Sequence, residues 1–250
     1  MSVLGKPEAA RGFPWTALVL GVIGIAILLS LGTWQLQRLA WKEALIASID
    51  QRTHSEPRPL SAVERQFAET GDVDYWPVEV EGTFDHAKER HFFATYEGQP
   101  GFYVYTPLKL ADGRFILINR GFVPYDRKDV STRLQGQVEG TVTLKGLARN
   151  PLAAKPSFLI PENEPDKNIF YWKDRDTMAR SAGLDTARLL PFFIDADKAP
   201  NPGGLPVGGV TIVDMPNNHL QYAVTWYGLA AALAAVLGAW LWRTRNERRA

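Results

Sequence analysis

Asn217-Asn218-His219-Leu220-Gln221-Tyr222-Ala223-Val224-Thr225-Trp226-Tyr227 is where a polar region of the chain runs into a long apolar segment. That segment continues almost free of charge to Trp242, and a second such window runs from Pro14 to Gly32. Each is long enough to cross a hydrocarbon core of about 30 Å as a helix. The sequence therefore predicts a membrane protein with two transmembrane α-helices, at 14–34 and at 217–242 with its outer-leaflet mouth. They flank an extracytoplasmic domain at 35–216, with short tails at 1–13 and 243–250.

The first window is longer than the roughly 7 to 15 apolar residues of a signal peptide, and Ser30-Leu31-Gly32-Thr33-Trp34 makes a poor cleavage site, so an uncleaved anchor is expected. Arg243, Arg245, Arg248 and Arg249 follow the second window closely, which places both tails in the cytoplasm and the central domain outside. Taken alone, the first window is equivocal, because Arg38 and Lys42 balance Lys6 and Arg11. The N-terminal tail lacks the Arg- and Ser-rich length of a transit peptide, so a bacterial inner membrane is expected ahead of a mitochondrial one.

Composition excludes several function classes. The 250 residues are 46% hydrophobic and 22% charged with a net charge of +1, which fits an ordinary folded protein and gives no reason to expect nucleic acid as a partner. There is no cysteine, so disulfides, thiolate metal sites and cysteine nucleophiles are excluded. Serines fall in no nucleophile-elbow pattern, and neither a phosphate loop nor a metalloprotease pair occurs, so a membrane-tethered enzyme is the least favoured class.

The central region reads as an antiparallel, β-rich α+β domain. After an amphipathic helical start through Ala44, Leu45 and Ile49, the prolines of His54 to Pro59 should break the helix. Val78 to Phe84 and Val138 to Lys145 alternate apolar and polar residues, as strands with one wet face do. Phe102 to Leu110 and Arg114 to Arg120 flank Asp112-Gly113, a hairpin signal, with Pro107 suggesting an edge or a bulge. Arg175 to Ala182 predicts a short helix capped by Asp174 and stopped by Gly183, and Pro191 to Asp195 a last buried strand.

Few side chains there point to chemistry. His86 and His91 are five apart, a spacing that favours no chelate on a helix or a strand, so both are expected at the surface with His54. Asp195 and Asp197 share a strand face, where a solvated strand end is favoured over a weak cation site.

His219 stands at the mouth of the second window with Tyr222, Ala223 and Trp226 on its helical face. That makes a slot with a nitrogen at the rim, a small residue and flat rings. Two readings stay open on the residues alone: a haem ligand and a hydrogen-bonded interfacial histidine. Trp34, Arg38 and Trp41 recur at helical spacing at the end of the first window, as an interfacial anchor or, for Arg38, as a partner for a haem propionate. Ala230, Ala234 and Gly238 form a small-residue stripe suited to packing on Gly21, Gly24 and Gly32.

Several stretches, in this order, resemble the Surfeit locus 1 family of cytochrome c oxidase assembly factors. They are Leu31 to Arg38, Asn119-Arg120-Gly121-Phe122-Val123-Pro124, Asn168 to Asp174 with Met178-Ala179, Pro206-Val207-Gly208-Gly209, and Asn217 to Tyr227. Phe122 stands where the family's motif has tryptophan. The resemblance implies two membrane spans, an outer domain and a non-enzymatic part in maturing haem-copper oxidase. It further implies transient binding of haem a, with His219 as axial ligand and Trp226 beside it, and with oxidase subunit I and a haem a synthase as partners. A haem-free scaffold that stabilises an oxidase intermediate is the alternative.

Overall fold

The computed structural model describes residues 15–211 and 215–247. The tail at 1–13, Pro14, and Arg248 and Arg249 lie outside the described residues. The chain packs as two units, one of helix α1 (Trp15–Thr53) as far as Ala47 together with α4 (His219–Glu247), the other Ser48–Val213.

α1 is one unbroken helix of 39 residues, so the first apolar window and the amphipathic stretch after it form a single element. It ends at Thr53, just before the expected proline-rich break. Both α1 and α4 are long and apolar enough to cross a membrane.

The other unit is built from strands β1 (Arg58–Pro59), β2 (Pro77–Phe84), β3 (Arg90–Tyr96), β4 (Gln99–Lys109), β5 (Phe115–Pro124), β6 (Thr141–Arg149) and β7 (Leu189–Ala196), with helices α2 (Leu60–Thr70) and α3 (Arg175–Ser181). Pairing runs β2–β6–β7–β5–β4, and β4 returns to β2 through Thr83–Lys109 and Phe84–Leu108. The result is a closed five-stranded barrel, with β1 and β3 added outside the ring. Counted within the barrel, the third and fifth strands, β5 and β7, run parallel and the other pairs antiparallel. This is the circuit of the OB-fold. The expected all-antiparallel sheet is corrected accordingly: the chain crosses from β6 to β7 through some forty residues, long enough to bring β7 in alongside β5 in the same direction.

Alternation explains both cores. Val78, Val80, Leu108, Ile116, Ile118, Phe192 and Ile194 point into the barrel, whose end is closed by Leu60, Val63 and Phe67 of α2 at spacings of three and four. The intervening Tyr105, Leu117 and Phe193 point outward and are covered by Met178 and Ala179 of α3 and by Phe170. β5 is therefore buried on both faces, and its first four residues, Phe115–Ile118, are an unbroken apolar run.

The β4–β5 hairpin turns at Asp112-Gly113, with Gly113 at φ 81° and its N–H donating to Leu110 O. Pro107 is paired with Leu117, and the register shift lies at Tyr103/Tyr105 instead. The Asp174 carboxylate accepts from Thr177 N at 3.0 Å as the cap of α3, and Gly183 follows at φ 64°. β6 begins at Thr141, not Val138, because the Val138 carbonyl is taken by His86 Nε2 at 2.8 Å. Neither α2 nor β3 was expected.

Candidate functional site

α1 and α4 lie antiparallel, and their contacts follow one register. A Cβ at Gly21 would lie 2.9 Å from a Leu237 methyl, one at Gly24 3.1 Å from Leu233, and one at Gly32 2.9 Å from the Tyr227 ring. The glycines of α1 thus receive large side chains of α4. The expected seam of small residues is corrected: Ala230 is buried, but Ala234 and Gly238 are exposed, and nothing lies near Gly238. Large side chains of α4 thus occupy the space that the glycines of α1 leave open.

Polar contacts continue this register toward the start of α4. Thr33 Oγ1 and Tyr227 OH lie 3.0 Å apart, and Lys42 Nζ donates to Pro216 O. Between them, His219 Nδ1 lies 2.7 Å from Oε1 of the buried Gln35. An amide oxygen only accepts, so for the neutral ring this contact fits the tautomer with the proton on Nδ1. The lone pair is then on Nε2, which has no hydrogen-bond partner among the described residues. A histidine that donates through one nitrogen and is held at the tautomer that frees the other has the arrangement that metal-ligating histidines adopt.

The surroundings of His219 are mostly apolar. Ala223 is buried, Trp226 is half-buried about one turn further on, and Tyr222 is 54% exposed. Successive residues turn by about 100°, so Trp226 falls close to the direction of His219 and Tyr222 to one side. His219 turns toward α1 through Gln35, Trp226 is half-buried on nearly the same side, and Tyr222 is exposed beside them. Arg38 is exposed on α1, and its guanidinium stacks on Trp41 of the same helix at 4.3 Å. This contact suits an anchoring role, and the guanidinium N–H groups have no acceptor among the described residues. A haem held here, as the family resemblance implies, would meet an imidazole nitrogen, two aromatic rings and the Arg38 cation.

The family model described as "SURF1 family" matches residues 22–231. This chain belongs to the SURF1 family. It is 41% identical to Surfeit locus protein 1 of Rattus norvegicus over 236 residues, which cover 88% of this chain and 72% of the rat protein. It is 40% identical to Surfeit locus protein 1 of Homo sapiens over 245 residues, covering 91% of this chain and 77% of the human one. A SURF1-like protein of Monosiga brevicollis is 36% identical over 248 residues, 94% of this chain and 90% of its own.

In this SURF1-family chain, Gln35 is the residue that spacing did not single out. A glutamine three residues beyond an apolar window is unremarkable alone, and its role depends on a helix 184 positions away. Phe122, at the position of the motif's tryptophan, is buried with its ring 5.4 Å from Tyr96 and 6.3 Å from Tyr103.

His86 and His91 are not surface residues. His91 is 5% exposed and His86 half-buried, and both face Glu89, which is 3% exposed. Arg133 grips Glu89 through both nitrogens at 3.2 and 2.6 Å, and Arg120 Nη1 lies 3.5 Å from it. The expectation failed because neither helix nor strand spacing applies: a 3-10 turn at His86–Lys88 separates the two imidazoles and folds them around the same carboxylate. Two arginines in the cluster oppose any cation, so this is an ionic latch and not a metal site. Asp195 is likewise buried, bonded by Asn119 Nδ2 at 3.0 Å and Thr211 Oγ1 at 2.8 Å, with Arg149 at 3.4 Å. Its oxygens are spoken for, which removes both the cation site and the solvated strand end at this position.

Proposed function

We propose that this SURF1-family protein is an assembly factor for haem-copper oxidase that binds haem a at His219 and passes it to subunit I. The observation that carries this is the 2.7 Å contact between His219 Nδ1 and Gln35, which leaves Nε2 free to give its electron pair to iron. Haem a is the cargo here, and a single strong ligand suits release better than two. Trp226 and Tyr222 wall the slot, Arg38 lies on the neighbouring helix for a propionate, and the hydrocarbon tail of the haem would rest in lipid.

On this reading α1 and α4 cross an inner membrane. Leu20, Ile27, Val224 and Val236 are each more than half exposed, an outward apolar surface that water does not favour. Exposed Trp15 and Trp242 mark one end of the pair, and Trp34 and Tyr222 the other. Along each helix these rings are about 30 Å apart, the spacing of two aromatic belts. The orientation rests on Arg243 and Arg245 beyond Trp242, which favour a cytoplasmic face at that end and so a periplasmic barrel.

The test is the haem a content of protein purified from cells that make haem a, read by pyridine haemochrome. Wild type should carry haem a and His219→Ala should lose it. Haem-free wild type that still co-purifies with subunit I would support the scaffold instead. A feature that favours that second reading is the loop tip of the barrel unit, where Phe158 is 88% and Leu159 78% exposed.

A further inference from the structure

The connection from β6 to β7 presents two apolar side chains at a single tip, Phe158 at 88% exposure and Leu159 at 78%. They fill the centre of a turn in which Ile160 N donates to Ser157 O and Leu159 N to Ser157 Oγ, both at 3.2 Å. Pro156 and Pro161 stand on either side, and a proline restricts its own backbone and that of the residue before it. The tip is therefore held out in one shape, and little freedom is lost when something covers it.

Beside the tip lies a cavity of about 430 Å³ with Phe92, Leu152, Ile160 and Tyr171 among its walls. Most of its polar groups are already engaged. Asp74 and Arg149 are paired with each other at 3.2 Å, and Asn150 is bonded through both its oxygen and its nitrogen. Lys173 is half-exposed, so its ammonium keeps access to water when the walls are covered. What is left to cover is apolar surface. The tip does not fill its own cavity: Pro156 and Ile160 both belong to the wall, and the turn that joins them aims its centre at solvent.

We infer that the tip of one copy of this chain seats in the cavity of a second copy, and the second copy's tip in the first. Knob and hole are neighbours in sequence and carry matching apolar chemistry, so a single two-fold axis forms both contacts at once. Charge agrees with a second copy as the occupant. Lys155 and Glu162 flank the tip and are paired within one chain, so the rim has no net charge to hold two copies apart. On the membrane reading of α1 and α4, both copies are confined to one plane, which raises their effective concentration and lets a small contact suffice. The inference concerns the barrel unit and stands whether or not haem binds at His219.

The experiment places photoreactive benzoylphenylalanine at position 158 of the full chain and illuminates native membranes that also hold a differently tagged wild-type copy. The adduct should run at twice the chain's mass, carry both tags and map to β3 or to the segment from Leu152 to Tyr171. By light scattering in mild detergent, wild type should be dimeric. Phe158→Ser with Leu159→Ser should weaken the dimer about 30-fold or more, the loss expected when anchoring side chains are removed from an interface. Leu152→Glu, which charges the cavity wall and leaves the tip intact, should do the same with circular dichroism unchanged. Monomeric wild type, or an undiminished dimer in the tip variant, would overturn the inference. So would adducts confined to lipid or to the same chain. Adducts to a different protein would also overturn it and return the tip to the scaffold reading.

Discussion

Glu89 Oε2 lies 2.6 Å from Arg133 Nη2 with both side chains almost sealed from water. Burial by itself would raise the Glu89 carboxyl, but hydrogen bonds from His86 and Arg133 and the charge of Arg133 outweigh it and hold the group at about 2, below its ordinary 4.5. The latch joins β3, β5 through Arg120, and the segment carrying Arg133. Glu89→Gln leaves two buried guanidinium groups without a counter-charge and should cost about 3 kcal/mol or more, read from denaturant unfolding of the barrel. Because the folded value is depressed, this stability is present above pH 4.5 and lost as pH falls toward 2, and the variant should lack that part of the acid limb.

His91 beside it adds a second, higher window. Burial, reinforced by Arg133, Lys128 and Arg90 against the pull of Glu89, lowers its imidazole from 6.5 to about 4. Unfolded chains take up a proton that the folded protein refuses, so stability is full above pH 6.5 and declines as pH falls to 4. Between pH 7 and pH 5 the loss should be about 2 kcal/mol, and His91→Gln should remove most of that slope in denaturant midpoints measured at the two pH values.

Gly32 touches the ring of Tyr227, and a methyl group there would sit 2.9 Å from it. Gly32→Ala should therefore push the helices apart locally and cost about 1 to 3 kcal/mol, read as a lower thermal midpoint in nanodiscs. Gly238→Ala, which meets nothing within 4 Å, is the matched control and should melt like wild type.

What could be read along the chain, and what could not, follows from the range of the interactions. The Asp112-Gly113 turn and the Asp174 cap are decided by neighbours within a few residues, and both are found where the sequence places them. Helix α2 owes its place to Leu60, Val63 and Phe67 closing the barrel end, a demand made by strands far along the chain. The parallel β5–β7 pair, the Glu89 latch and the Gln35 contact likewise depend on partners 31 to 184 positions apart. His219, Tyr222 and Trp226 could be grouped because one helix carries them all. Gln35 could not, because only the pairing of α1 with α4 gives it a role.

Gln35 sets the tautomer of His219, so its loss should be felt at Nε2. Gln35→Leu should weaken haem a binding about 10- to 100-fold, as removal of a group that orients a metal ligand does, with the helix pair intact by circular dichroism. Gln35→Glu, which keeps an acceptor, should bind more tightly than Gln35→Leu in the same spectrophotometric titration.

Pulsed electron paramagnetic resonance of ferric haem a bound to protein made with nitrogen-15 histidine asks which atom holds the iron. A strong axial nitrogen-15 coupling should appear in wild type and vanish in His219→Ala. The same coupling persisting in that variant, or its absence in haem-loaded wild type, would show that His219 is not the ligand.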